Sequence, residues 1–233
     1  MPILLPLLHS PVSDVRERRF RWRTPTTFAN DGSLRDSHFQ SNLQANVESV
    51  LAQGTTLQRS EWRWISKVET ADGPMVVKMF VERCWRHSIK RKFLCSRATI
   101  YTKRARQLAA AGIPTPVPVA TVAENFAGLI GNSCVVYRYA SGQTLRMYLQ
   151  SIADDENVLP EQRYHKMAEI REQLASLGER LARIGLAHTD VHQGNFLVDQ
   201  NQSISLLDLD SLRPTRKRYR LFRSRLQFQQ LVP

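Results

Sequence analysis

The stretch from His188 to Leu212, HTDVHQGNFLVDQNQSISLLDLDSL, restricts the possible folds more than any other part of the chain. Two short apolar runs, Phe196-Leu197-Val198 and Ile204 to Leu207, are separated by turn-forming residues Asp199 to Ser203, a pattern that predicts an antiparallel hairpin. Pairing of these runs brings Asn195, just before the first, close to Asp208, just after the second. Asp190 lies on the same polar turn as Asn195. Such a convergence suits a site that must hold a divalent cation, a phosphate chain and an attacking hydroxyl together.

Each residue type has a chemical reason to be there. A carboxylate and an amide oxygen are hard ligands that hold magnesium without a preformed cage. A further carboxylate, Asp190, is placed to orient or deprotonate an acceptor. The competing interpretation is that Asp190, Asp199 and Asp208 cap turns, as Asp commonly does. Turn chemistry alone rarely produces Asp-x4-Asn followed by two apolar strands and another Asp.

The segment resembles the catalytic and metal-binding segments of the protein-kinase-like superfamily. In texture it is most similar to the small bacterial kinases of the lipopolysaccharide inner core, the Kdo and heptose kinases. His188 to Val198 resembles the HGDLHPGN-type loop that those enzymes share with aminoglycoside kinases. Asp208-Leu209-Asp210-Ser211 stands where eukaryotic kinases carry DFG, so Asp208 alone carries over as metal ligand and Asp210 is an additional acidic group. The resemblance implies an α+β fold, compact and bilobal, with an antiparallel-sheet N-lobe and a reduced, mainly helical C-lobe. It also implies ATP and Mg2+, with Asp190, Asn195 and Asp208 as the catalytic set, Asn195 and Asp208 as the metal ligands, and a Kdo or heptose hydroxyl as acceptor.

Upstream, Val47 to Leu51, Glu61 to Val68 and Met75 to Phe80 are expected as strands. Lys78 is the one ionisable side chain inside the third. Its counterpart in the resembled family holds the nucleotide phosphates; periodicity alone favours a lysine facing solvent from an edge strand, and the downstream Asp and Asn set turns the balance to the phosphate role. Gly54 and Thr55 are the candidate phosphate-covering turn, although neither a GxGxxG nor a Walker motif occurs. Ala109 to Pro116 reads as a helix stop followed by an extended approach. Ser133 to Tyr137 reads as a buried strand leading into a hinge, where the resemblance places the adenine-reading backbone near Tyr137 and Tyr139. Glu161 to Ile184 has the strongest amphipathic helical spacing in the chain. These readings divide the chain into a basic N-terminal extension (1–46), an N-lobe (47–136) and a C-lobe with a basic C-terminal helix (137–233).

The segment Glu82 to Ala111, largely helical in character, departs from the resembled pattern. Kinase-like folds supply a helix glutamate that pairs with the strand lysine, but no acidic residue occurs between Glu82 and Glu124, and Tyr101 falls near that position. Either Glu82 reaches Lys78, or Asp208 is the lysine's main partner, or the pair is missing.

Charge narrows the partners. The 233 residues carry 33 Lys and Arg against 21 Asp and Glu, a formal net charge of +12, which favours a polyanionic partner. Basic residues concentrate in Arg16 to Arg23, where Val12 to Trp22 could form a short helix, in Arg86 to Arg106, and in Arg213 to Arg225. Charge alone allows nucleic acid, an anionic membrane surface or a phosphorylated glycolipid; the resemblance implies a lipopolysaccharide precursor, with anionic inner-membrane lipids at a peripheral contact. Nucleic acid is disfavoured because no binding module is recognisable. Three cysteines without disulfide or metal spacing, and a start without the basic leader of a signal peptide, lead us to expect the cytoplasmic face of the membrane. The alternative activities are a small-molecule kinase of aminoglycoside type and a pseudokinase that binds nucleotide or lipid. The sequence assigns no oligomeric partner.

Overall fold

The computed structural model describes residues 21–23, 34–82, 95–126, 129–215 and 227–232. Six strands form one antiparallel sheet: Arg21–Arg23 (β1), Thr55–Ser60 (β2), Arg63–Thr70 (β3), Gly73–Phe80 (β4), Pro118–Phe126 (β5) and Leu129–Arg138 (β6), in the order β1-β5-β6-β4-β3-β2. β4 is central and every residue from Met75 to Phe80 is buried. Because side chains alternate across a strand, Met75, Val77 and Met79 serve one face of the sheet, and Val76, Lys78 and Phe80 serve the other. Lys78 is therefore an interior lysine, not a solvent-facing one on an edge strand.

On the first face lie two short helices, Ser37–Ala45 (α1) and Val47–Gln53 (α2). Phe39, Leu43, Val47, Val50 and Leu51 pack there against Met75, Val77 and Met79, each fully buried aliphatic side chain contributing roughly 1.5–3 kcal/mol. Val47 to Leu51, expected as a strand, is thus helical. The buried positions 47, 50 and 51 follow helical spacing, and Asn46 caps the helix by accepting the Ser49 N–H. The boundary expected at residue 47 falls between these two helices, and the sheet's apolar cover begins at Leu34. Trp22, expected at the end of a basic helix, instead lies in β1, paired with Glu124.

The second face packs on Arg97–Ala110 (α3), whose Ser96 N-cap accepts the Thr99 N–H. Val76 and Phe80 join Tyr101, Ala105 and Leu108 in a cluster that continues into the rest of the molecule through Leu174, Phe196, Leu206 and Leu212. α3 stops where expected, with Gly112 in the left-handed region at φ +67 and the Ile113 N–H donating back to Leu108. Gly142, beyond β6, also needs to be glycine, since a Cβ there would lie 2.5 Å from the Val198 carbonyl oxygen. That close approach lets Gln143–Thr144 (β7) pair with Phe196–Val198 (β9).

The helical lobe consists of Leu145–Asp154 (α4) and Pro160–Arg183 (α5), the latter burying Ile170, Leu174, Leu177 and Leu181 as its spacing predicts. Leu186–His188 (β8) pairs with Leu212–Pro214 (β11), and β9 pairs with Ile204–Leu206 (β10), so the loop after β8 and the loop after β10 lie side by side. No helix among the described residues is long and apolar enough to cross a membrane. The expected helix content of residues 83–94 and the basic run at 216–226 lie outside the described residues. Phe228, just beyond, is buried edge-on against Phe196 at 5.5 Å.

Candidate active site

The expected hairpin forms as β9 and β10, with Phe196 opposite Leu206 and Val198 opposite Ile204. One further bond, from the Leu207 N–H to the Asn195 carbonyl at 2.9 Å, sets Asn195 beside the residue preceding Asp208. Both Asn195 and Asp208 are buried and both line a cleft of about 540 Å³ between the sheet and the hairpin. Lys78, Tyr137, Tyr139 and Gly142 line the same cleft. Asp199 behaves differently: its carboxylate accepts the N–H groups of Asn201 and Ser203 and serves only the turn.

The loop holding Asp190 is fixed by its backbone. The Asn195 side-chain NH2 donates to the Asp190 carbonyl at 2.8 Å, and the Asp190 N–H donates to His188 Nδ1 at 3.3 Å. His188 is buried, and its Nε2 lies 2.8 Å from the Asp208 carbonyl oxygen. A carbonyl can only accept, so Nε2 carries the proton and Nδ1 is the acceptor, a neutral tautomer set from both sides. Burial pushes the imidazole pKa below its ordinary value, against the opposing pull of Asp208 and Asp190. The Asp190 carboxylate itself remains largely exposed, with His192 Nε2 3.7 Å from Oδ2.

Lys78 Nζ donates to Asp208 Oδ1 at 3.0 Å and lies 3.6 Å from Asp210 Oδ2. Of the three possibilities left open for Lys78 by the missing helix acid, the structure shows Asp208 as its main partner. Tyr101 occupies the helix position facing Lys78. Its ring centre is 5.0 Å from Nζ, and its O–H donates to the Leu207 carbonyl at 3.0 Å. Burial raises the phenol well above its ordinary pKa, so it stays a proton donor. Burial alone would raise the Asp208 pKa, but the Lys78 and Arg63 cations hold it down to about 2.

Sequence reasoning missed several participants. Arg63 Nη2 approaches Asp208 Oδ2 at 3.6 Å and Asp210 Oδ2 at 3.4 Å, and Arg97 Nη2 approaches Asp210 Oδ2 at 3.3 Å. Arg104 donates to the Leu209 carbonyl at 2.9 Å. The spacing of Arg97, Tyr101 and Arg104 on one helix stripe was readable, but the loop it meets was not. Arg63 becomes findable once β3 is paired: it stands opposite Phe80, and Ile65 opposite Lys78, so all four share a face.

The expected phosphate-covering turn needs correction. Gly54 ends α2, and a Cβ there would meet the Lys67 carbonyl at 2.5 Å, so the glycine serves a close packing of two segments and not a phosphate. Thr55 pairs with Lys67 at the end of the β2–β3 hairpin remote from Arg63. Leu57 and Gln58, further along the same strand, line the cleft instead. Tyr137 and Tyr139 both line the cleft, and the Tyr139 backbone N–H donates to the Pro74 carbonyl at 3.0 Å.

The donor set fits magnesium. With the Asn195 NH2 committed to Asp190, its carbonyl oxygen is the atom suited to ligation, beside the ionised Asp208 carboxylate. Among the described residues no group of three His, Cys, Asp or Glu side chains could hold a metal. A site completed by substrate phosphates requires no such cage.

Residues 47–231 match the model of the lipopolysaccharide kinase (Kdo/WaaP) family. No curated protein sequence matches significantly. Among solved structures, one described as "WaaP in complex with acyl carrier protein" is similar with a TM-score of 0.55 and 22% identity, over 85% of this chain and 78% of that one. A Toxoplasma gondii rhoptry antigen kinase domain gives 0.47 and 16%, over 69% and 49%. The sheet packed over a helical lobe is thus a protein-kinase-like fold.

Proposed function

The chain belongs to the lipopolysaccharide kinase (Kdo/WaaP) family, and from that membership we propose that it transfers the terminal phosphoryl group of ATP to a hydroxyl of a Kdo or heptose sugar in the lipopolysaccharide inner core. The observation that carries the proposal is the convergence of Lys78, Asn195 and Asp208 on one cleft, with Asp190 tied to Asn195 at its edge.

Lys78 and Asp208 hold each other at 3.0 Å, and a phosphate chain entering the cleft takes up the lysine's remaining donors. Asn195 and Asp208 would hold magnesium, which when bound neutralises charge on the phosphate oxygens. The exposed Asp190 carboxylate accepts the proton of the acceptor hydroxyl as that oxygen attacks phosphorus. Its backbone is held on both sides, by His188 and by Asn195. Most of the acceleration comes from position and fixed charge. Gln193, whose side chain donates to the Leu231 carbonyl at 2.7 Å, serves to brace the loop against the C-terminal segment.

The positive balance of the chain favours an anionic glycolipid over a cationic drug as acceptor. We place the enzyme at the cytoplasmic face of the inner membrane as a peripheral protein, and take residues 34–136 and 137–233 as its two lobes. The test is transfer of labelled phosphate from ATP to purified inner-core glycolipids, run beside Asp190→Asn. Transfer by the wild type with near-complete loss in Asp190→Asn supports the reading. Tight nucleotide binding without transfer to any inner-core acceptor would replace it with a pseudokinase.

A further inference from the structure

We infer that Arg63 is a phosphate-binding residue of this enzyme, one that pairs with Asp208 when no nucleotide is bound and passes to the nucleotide phosphates when magnesium takes its place. The inference rests on the phosphotransfer reading above and deepens it.

Three cations, Arg63, Lys78 and Arg97, surround two carboxylates, Asp208 and Asp210, so the cluster holds more positive than negative charge. The three are not equivalent. Lys78 is buried on the central strand under the rings of Phe80 and Tyr101. Arg97 lies over Phe80 at 4.7 Å and touches only Asp210. Arg63 alone combines a contact to Asp208 Oδ2 with a place in the lining of the cleft.

Asp208 Oδ1 belongs to Lys78, which leaves Oδ2 as the oxygen for a metal. Ser211 donates to Oδ2 at 3.3 Å and can remain, because an oxygen has more than one lone pair. Arg63 cannot remain: a magnesium bound at about 2.1 Å from Oδ2 would face a guanidinium nitrogen now only 3.6 Å from the same oxygen. With Oδ2 given to a metal, Arg63 would keep Asp210 as a partner at 3.4 Å and turn its remaining N–H donors to the phosphates.

Its mounting permits the shift. Arg63 follows the Glu61-Trp62 turn of a hairpin whose outer strand, β2, is exposed along its whole length. That hairpin borders the cleft and carries no glycine between Thr55 and Thr70. A planar side chain with five N–H donors supplies the phosphate contacts that a glycine-rich backbone would otherwise give.

Calorimetric titration of the full chain with Mg–ATP, adenosine and, separately, Mn2+ without nucleotide tests this, with Arg63→Met and Arg63→Lys beside the wild type and a thermal melt of each. Arg63→Met should bind Mg–ATP about tenfold or more weakly, the loss of charge-assisted bonds to phosphate, while binding adenosine as the wild type does. It should also bind Mn2+ more tightly, because Asp208 has been freed of a competing cation. Arg63→Lys should fall between. Unchanged Mg–ATP affinity in a folded Arg63→Met protein overturns the inference, and so does a parallel loss of adenosine binding, which would assign Arg63 to hairpin packing. A wild type that binds no Mg–ATP overturns the phosphotransfer reading itself.

Discussion

Tyr101 offers a quantitative test of how the helix and the metal-binding loop are joined. The side chain is fully buried, its O–H donates to the Leu207 carbonyl, and its ring lies between Lys78, Phe80 and Tyr137, with centroids 6.2 and 6.3 Å away for the two rings. Tyr101→Phe removes only the hydroxyl. Leaving the Leu207 carbonyl without that donor should cost about 1–2 kcal/mol, read as a fall in melting temperature of roughly 2–8 °C for a domain of this size. Tyr101→Leu removes the ring as well, forfeiting the cation–π contact and opening a cavity, and should cost about 3–4 kcal/mol. Urea unfolding gives the stability ladder, and the Michaelis constant for ATP gives the second reading. Because Tyr101→Phe keeps the ring under Lys78, it should leave the ATP constant nearly unchanged, whereas Tyr101→Leu should raise it. Equal stability losses in the two variants, or an ATP constant disturbed as much by Phe as by Leu, would refute the assignment of separate roles to hydroxyl and ring.

Acid should weaken the fold in two steps. The His188 pKa is lowered by burial, so the unfolded chain takes up that proton first; stability contributed by the neutral ring is present above pH 6.5 and is lost as pH falls below it. Asp208, held down to about 2 from 3.8, contributes about 2 kcal/mol above pH 4 that is lost as pH falls through 2; urea unfolding as a function of pH should show both limbs, and His188→Asn should flatten the upper one. Asp199→Ala should lower stability by about 1–2 kcal/mol through loss of two turn hydrogen bonds while phosphate transfer per folded molecule stays unchanged. Loss of transfer in proportion to that seen with Asp190→Asn would mean that Asp199 belongs to the chemistry after all.

Much of the site was legible because it is local. Asn195 and Asp208 meet through one hairpin whose two apolar runs and turn residues are adjacent in sequence, so pattern alone predicted their approach. Lys78 stood out only beside the downstream Asp and Asn set, since its strand alone favours a solvent-facing lysine, and only the structure reveals β4 as the middle of the sheet. What failed was either ambiguous in period or non-local. Val47 to Leu51 is too short and apolar for alternation to distinguish strand from helix, and Asn46, the cap that decides it, is an ordinary loop residue when viewed alone. Gly54 looked like a phosphate turn because a glycine required by backbone crowding and one required by a ligand are identical in sequence. Arg63 and Arg97 lie 147 and 113 residues from Asp210, and no period relates a hairpin or a helix stripe to a loop so distant.

Those long-range contacts share one end point. The segment Leu207 to Asp210 receives Tyr101, Arg97 and Arg104 from α3, Lys78 from β4, Arg63 from β3 and His188 from the strand before the Asp190 loop. In kinase-like folds a helix acid holding the strand lysine makes the helix position a condition of phosphate binding. Here the helix carries no acid in the described stripe, and it is joined directly to the Asp208 segment through three carbonyls and the Asp210 carboxylate. A displacement of α3 would therefore disturb both members of the Lys78–Asp208 pair, the carboxylate through Leu207 and Leu209 and the lysine through the Tyr101 ring. Tyr101 and its neighbours on the stripe thus couple the helix to the Lys78–Asp208 pair without a carboxylate of their own.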